Sequence, residues 1–244
     1  MNGVGICTYN RSSYFKQCFT VAIDKLKDVV DVWCVYEDGS DKDVKEYNEI
    51  FTWIDKEYPF VKIFRPKSNS GVAKVKNTLL KYMMDKNCDY MFLLEDDIII
   101  KDEKAVTGYI EAAEKSGFSH LCFAYHGPMN QGGPMYKDDW LEYHGACIGA
   151  WCMYTKEIIE KCGYFNEKMI NAFEHVHLTK RIGDQGFCPP FGLFIDASGS
   201  KDWLEEIPGS IDHSSIRPRE DWEENIKKAL ETWKLEDGCG LPKL

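Results

Sequence analysis

Tyr90–Met91–Phe92–Leu93–Leu94–Glu95–Asp96–Asp97–Ile98–Ile99–Ile100 is the stretch on which the reading of this chain turns. An unbroken apolar run of this length reads as a strand buried on both faces, as in the middle of a mostly parallel sheet. It stops at three adjacent carboxylates and resumes with three isoleucines. Such groups at the mouth of a buried strand repel one another and resist desolvation unless positive charge is supplied. A divalent cation answers that need, and hard oxygen ligands suit Mg²⁺ or Mn²⁺. The plainer alternative is a solvated acidic turn between two strands.

Working outward, the flanking segments alternate. Gly3 to Thr8 reads as a strand, Arg11 to Lys27 as a helix and Val29 to Tyr36 as a second strand. Asp43 to Tyr58 is helical, Phe60 to Phe64 a third strand and Val72 to Met84 a helix leading into the Tyr90–Leu94 strand. This alternation with short connections predicts an α/β fold with a parallel sheet flanked by helices. Ligands of such sheets bind outside the carboxyl ends of the strands. Thr8–Arg11, Glu37–Ser40, Asn69–Gly71 and Glu95–Asp97 all fall at that edge.

Beyond Ile100 the pattern is less regular. Glu103 to Lys115 reads as a helix, Ser119 to Tyr125 as a strand and His126 to Asp139 as a long loop. Glu142 to Tyr154 holds one or two strands, followed by a helix from Thr155 to Lys161. A helix over Ala172 to Ile182 carries Glu174, His175 and His177, and Phe187 to Ile195 is a strand or extended segment. A polar stretch from Ser198 to Arg219 precedes a closing helix from Asp221 to Leu235, with Gly238 as its cap. No repeat or linker divides the chain, so a single domain is expected.

Composition narrows the function. With 44% hydrophobic and 29% charged residues among 244, the chain is of ordinary globular type. A net charge of -10 argues against a sequence-independent grip on nucleic acid. No run reaches the roughly 18–20 apolar residues that span a bilayer, and Val4–Cys7 is too short for a signal peptide. The ten cysteines are scattered, with no close Cys-x-x-Cys pair. Cys34, Cys122, Cys147 and Cys152 lie in apolar surroundings, so reduced thiols in a cytoplasmic protein are expected rather than disulfides or structural zinc.

Four segments in this order resemble the GT-A (Rossmann-like) glycosyltransferases, close to glycosyltransferase family two. They are Gly5–Arg11, Glu37–Ser40, Asn69–Asn77 and Leu94–Asp97, with Phe173–Leu178 and His213 as further points of likeness in the second half. The resemblance implies a donor-binding half over residues 1–100, and an acceptor-binding half with the closing helix over 101–244 of the same domain. It places Thr8, Tyr9 and Arg11 beside a nucleotide, gives Asp38 hydrogen bonds to base or ribose, and sets Asn69, Gly71 and Lys74 around the phosphates. Asp97 matches the metal-binding carboxylate of the family's Asp-x-Asp motif. Glu95 stands where that motif has its first Asp, Asp96 lies between them on the donor side, and His213 matches a late histidine that completes the metal site. The base that deprotonates the acceptor maps to Glu174–His175, where the family often has Glu-Asp. Glu174 is the slightly preferred base and His175 the alternative.

The implied activity is Mn²⁺- or Mg²⁺-dependent transfer of a sugar from a nucleoside diphosphate donor, with UDP the favoured nucleotide, to an acceptor hydroxyl with inversion. A glycan, a protein side chain, a lipid-linked sugar and a modified DNA base remain open as acceptors, the lipid-linked case being disfavoured by the lack of any membrane span. A nucleotidyltransferase and a non-catalytic sugar-nucleotide-binding module are the rival readings. Some residues read more plainly. Lys74 and Lys76 look like a solvated helix face, His120, His126 and His144 have no ligand spacing, and Trp140 is a candidate on the acceptor side. The Gly127–Gly133 segment has the composition of a lid.

Overall fold

Six strands, in spatial order Lys62–Phe64, Val32–Glu37, Asn2–Thr8, Tyr90–Glu95, Trp151–Thr155 and His120–Cys122, form the central sheet in a computed structural model that describes residues 1–237 apart from 219. The first half runs β1 (Asn2–Thr8), α1 (Ser12–Leu26), β2 (Val32–Glu37), α2 (Val44–Glu57), β3 (Lys62–Phe64), α3 (Val72–Asp85) and β4 (Tyr90–Glu95). β1 pairs in parallel with both β2 and β4, and β2 with β3. Four parallel strands thus deliver their carboxyl ends to one edge.

The second half follows as β5 (Ile98–Ile100), α4 (Lys104–Ser116), β6 (His120–Cys122), β7 (Tyr136–Lys137), β8 (Leu141–His144) and β9 (Trp151–Thr155). α5 (Lys156–Cys162), α6 (Glu174–Asp184), β10 (Phe194–Ala197), α7 (Ser200–Trp203), β11 (Leu204–Glu206) and α8 (Trp222–Asp237) complete the described chain. β9 returns antiparallel between β4 and β6, so the central sheet is mixed at one side. β8 sits instead in a small sheet with β10 and β7, and β5 pairs antiparallel with β11. The expected Glu142–Tyr154 region therefore divides into two strands serving different sheets.

β1 and α3 approach closely because glycine permits it. A Cβ on Gly5 would stand 2.9 Å from the Leu79 Cβ, well inside contact distance. This seats α3 directly on the sheet and fixes where its first turn meets the carboxyl edge. Gly39 serves the same edge, with φ of +66° and the Ser68 backbone 2.4 Å from where a Cβ would be. Around this frame a continuous apolar core includes Phe15, Phe19, Phe92 and Trp151, each fully buried.

Boundaries differ from expectation where backbone donors are diverted or missing. The amides of Val29 and Val30 bond back to the Leu26 carbonyl, so β2 begins later than Val29. Pro189 and Pro190 have no N–H for a ladder, and the extended segment expected over Phe187–Ile195 pairs only from Phe194. The closing helix covers Trp222–Asp237, and the proposed Gly238 cap lies outside the described residues. No described helix is long and apolar enough to cross a membrane.

Candidate active site

The acidic stretch folds as β4, a two-residue turn at Asp96–Asp97, and β5 leaving the central sheet. Asp96 and Asp97 are 1% and 4% exposed, so their charges must be balanced locally. Arg11, from the β1–α1 loop, supplies the balance. Its guanidinium bonds Asp96 Oδ1 through one terminal nitrogen and Asp97 Oδ2 at 3.0 Å through the other. Thr8 Oγ1 donates to Asp96 Oδ2 at 2.7 Å, and the Arg11 amide donates to the Tyr47 hydroxyl at 3.0 Å. Burial would raise the Asp97 carboxyl, but His126 and Arg11 outweigh it and hold it at about 2.

His126 opens the long loop after β6, and its Nε2 lies 3.3 Å from Asp97 Oδ2 and 3.7 Å from Glu206 Oε1. Both that nitrogen and Asp97 Oδ1 are buried without a hydrogen-bond partner. A carboxylate oxygen free of hydrogen bonds, on a carboxylate that an imidazole nitrogen also faces, is a donor set that suits Mn²⁺. The residues fit a divalent cation that takes its remaining ligands from elsewhere, because no group of three or more metal-ligating side chains forms among the described residues. His213 lies in a single 3₁₀ turn at Ile211–His213, exposed on the rim of an open cleft of about 1380 Å³, its ring 6.2 Å from that of Tyr14. The imidazole at Asp97 is that of His126, for which the sequence had offered no signal.

A second buried network lies behind Glu95. Lys76 Nζ, 1% exposed, donates to Glu95 Oε1 at 2.8 Å, Glu174 Oε1 at 3.3 Å and the Gly149 carbonyl at 3.3 Å. Glu174 Oε1 is also 3.3 Å from His175 Nδ1. Burial would raise the Glu174 carboxyl, but Lys76 and His175 outweigh it and hold it near 2. Burial likewise opposes the His175 charge, yet Glu174 prevails and lifts that imidazole to about 9. At neutral pH the pair is therefore a protonated His175 beside an ionised Glu174.

Lys76 was expected on a solvated face with Lys74, and the structure corrects half of that. Lys74 is exposed, while Lys76 points into the protein. The signal was present: positions 73, 76, 80 and 83 share one helical face, and the other three are Ala, Leu and Met.

Asp38 closes the donor edge. Its two oxygens accept from Asn69 Nδ2 (2.8 Å), the Ser70 amide (2.8 Å), Ser70 Oγ (2.6 Å) and the Gly71 amide (3.0 Å). Four bonds fill the capacity of a carboxylate, so here Asp38 holds the 69–71 loop rather than facing a ligand. Burial raises its pKa against those bonds. Asn171 Oδ1 accepts from the Val72 amide at 3.1 Å, while its buried Nδ2 has no partner. Sequence reading missed Asn171, which reaches α3 across 99 residues. Asn171 lines a small cavity of about 70 Å³ with Thr8, Asp38, Asn69 and Asp96, and Tyr9 and Arg11 border both this cavity and the open cleft. The structure thus gathers Thr8, Tyr9, Arg11, Asp38, Asn69, Glu95 and Asp96 around one cavity.

A mostly parallel sheet with an acidic turn and polar loops at its carboxyl edge defines the GT-A glycosyltransferase class, and the solved structures it resembles are of that class. Residues 3–172 match the family described as glycosyl transferase family 2, and the chain belongs to that family of glycosyltransferases. An uncharacterized glycosyltransferase, R363, of Acanthamoeba polyphaga mimivirus is 25% identical over 227 residues, covering 88% of this chain and 84% of that protein. Residues 1–349 of S. aureus TarS in complex with UDP-GlcNAc superpose with a TM-score of 0.60 at 14% identity, covering 97% of this chain and 67% of that one. The mannosyltransferase PcManGT of Pyrobaculum calidifontis, in complex with GDP-Man and Mn²⁺, gives a TM-score of 0.56 at 12% identity, covering 78% and 54%. In the TarS structure with UDP alone, the matched region is likewise only 54% of that chain.

Proposed function

We propose that this glycosyltransferase transfers a sugar from a nucleoside diphosphate donor to an acceptor hydroxyl, with a divalent cation and with inversion. The observation that carries the reading is the buried Asp97 carboxylate at the carboxyl edge of the sheet, its Oδ1 without a hydrogen bond and His126 Nε2 3.3 Å from its Oδ2. Neighbours of the same fold, solved with UDP-GlcNAc or with GDP-Man and Mn²⁺, support the donor class and the metal.

In this reading Asp97 and His126 would hold Mn²⁺ or Mg²⁺, and the cation would supply Lewis-acid charge for the diphosphate leaving group. His213 stands on the cleft rim beside Tyr14 and not at Asp97. Tyr9 and Arg11 border the nucleotide, and Asp38 acts by setting the Asn69–Gly71 loop, which flanks it. Lys76 bridges Glu95 and Glu174 and keeps Glu174 ionised. Glu174 accepts the acceptor proton as the glycosidic bond breaks, while His175, already charged, orients the carboxylate. Residues 1–100 form the donor half and the remainder the acceptor half of one domain. UDP is the favoured nucleotide and a glycan or modified nucleic-acid base the favoured acceptor class.

Incubating the protein with a panel of nucleotide sugars and Mn²⁺ tests the reading. Slow release of free nucleoside diphosphate without acceptor is the expected result. Release of pyrophosphate would identify a nucleotidyltransferase instead, and metal-dependent binding without release, even with acceptors present, would identify a binding module.

A further inference from the structure

The cation at the acidic turn is the protein's own. Arg11 spans both carboxylates of Asp96–Asp97 and is only 13% exposed at its side chain. It is seated by its amide on the Tyr47 hydroxyl, and its guanidinium carbon lies 5.7 Å from the centre of the Tyr14 ring. Its Nε is buried without a partner, so the guanidinium is not saturated where it stands. Arg11 also belongs to the wall of both the open cleft and the small cavity, where an incoming anion would meet it.

Two cations cannot share one buried carboxylate without repulsion. A metal at Asp97 would face the Arg11 charge across the same group, since Arg11 holds Oδ2 and leaves Oδ1. A diphosphate changes the balance, because it brings negative charge and offers a guanidinium two parallel acceptors. We propose that Arg11 is a displaceable counter-ion, which neutralises Asp96 and Asp97 in the donor-free protein and turns to the diphosphate when metal and nucleotide arrive together. This rests on the metal-dependent reading above. It makes nucleotide binding a condition of tight metal binding, a coupling carried by one side chain.

The test is binding of Mn²⁺ to the purified protein, read by electron paramagnetic resonance with and without UDP or GDP. Wild type should bind bare Mn²⁺ weakly and gain affinity with one of the nucleotides, within the roughly 5–150-fold range of such couplings. Arg11→Gln should bind bare Mn²⁺ about tenfold or more tightly than wild type and lose most of the nucleotide-dependent gain. Arg11→Lys should fall between, because a compact ammonium spans the two carboxylates poorly. Equal bare-Mn²⁺ affinity in wild type and Arg11→Gln would overturn the proposal. If Arg11→Gln fails to fold, Arg11→Lys decides: values identical to wild type for both bare metal and coupling would overturn it. Should wild type with either nucleotide bind no Mn²⁺ at all, the metal-dependent reading falls first and this proposal with it.

Discussion

At Lys76 one ammonium serves two carboxylates from distant parts of the chain, Glu95 at the end of β4 and Glu174 at the start of α6. Removing one partner of a buried ion pair leaves uncompensated charge and costs roughly 3–5 kcal/mol. Lys76→Met should destabilise by about that much in urea unfolding; a loss within error of zero would show that the network is solvated. Glu174→Gln should retain donor binding and lose transfer by roughly the 10²–10⁴-fold of a missing general base. Single-turnover rates would measure this, and full activity would move the base elsewhere. The pair also sets a pH signature. His175 is raised, so its contribution to stability is complete below its unfolded pKa and fades as pH climbs through about 9. Glu174 is depressed, so its contribution is complete above the ordinary glutamate value and fades as pH falls toward 2. The stability gap between wild type and His175→Gln should therefore be widest in mildly acidic solution and close on both sides. A gap independent of pH would contradict the ion pair. Asp97 and Asp96 were legible in the sequence because three carboxylates after a buried strand demand a cation. His126 was not, because its approach to Asp97 is made by a loop across 29 residues, with no local spacing to mark it.

At the scale of elements, the site depends on where α3 begins. The Asp38 carboxylate ties down the turn before it, and Gly5 lets the helix lie on β1. Asp38→Ala removes the acceptor of one buried amide, that of Gly71, and of half-buried donors on Asn69 and Ser70, and should cost about 1–3 kcal/mol for the buried amide left unsatisfied. It should also weaken donor binding by freeing the Asn69–Gly71 loop. Calorimetry of donor binding checks this, and unchanged affinity would leave Asp38 a turn residue only. Gly5→Val overpacks a contact already at its limit and should cost about 1–3 kcal/mol, read by thermal unfolding. The first hundred residues were legible because the helices and the strands β1, β2 and β4 there are long enough to show their period, and the short β3 falls between two of those helices. The second half was not, because strands of two to five residues serve three different sheets, and pairing across long loops leaves no periodic trace.

Across the whole molecule, a net charge of -10 surrounds a site that must attract an anionic donor. In the donor-free protein the local cations at Arg11 and Lys76 face carboxylates, so a metal is the charge that first draws in the diphosphate. The most direct measurement is calorimetric titration of a nucleotide sugar into wild type and Asp97→Asn, with and without Mn²⁺. Wild type should bind appreciably only with the metal, and Asp97→Asn should bind equally poorly in both conditions while unfolding cooperatively as wild type does. Donor affinity that is independent of Mn²⁺ in wild type, or undiminished in Asp97→Asn, would contradict the metal site at Asp97.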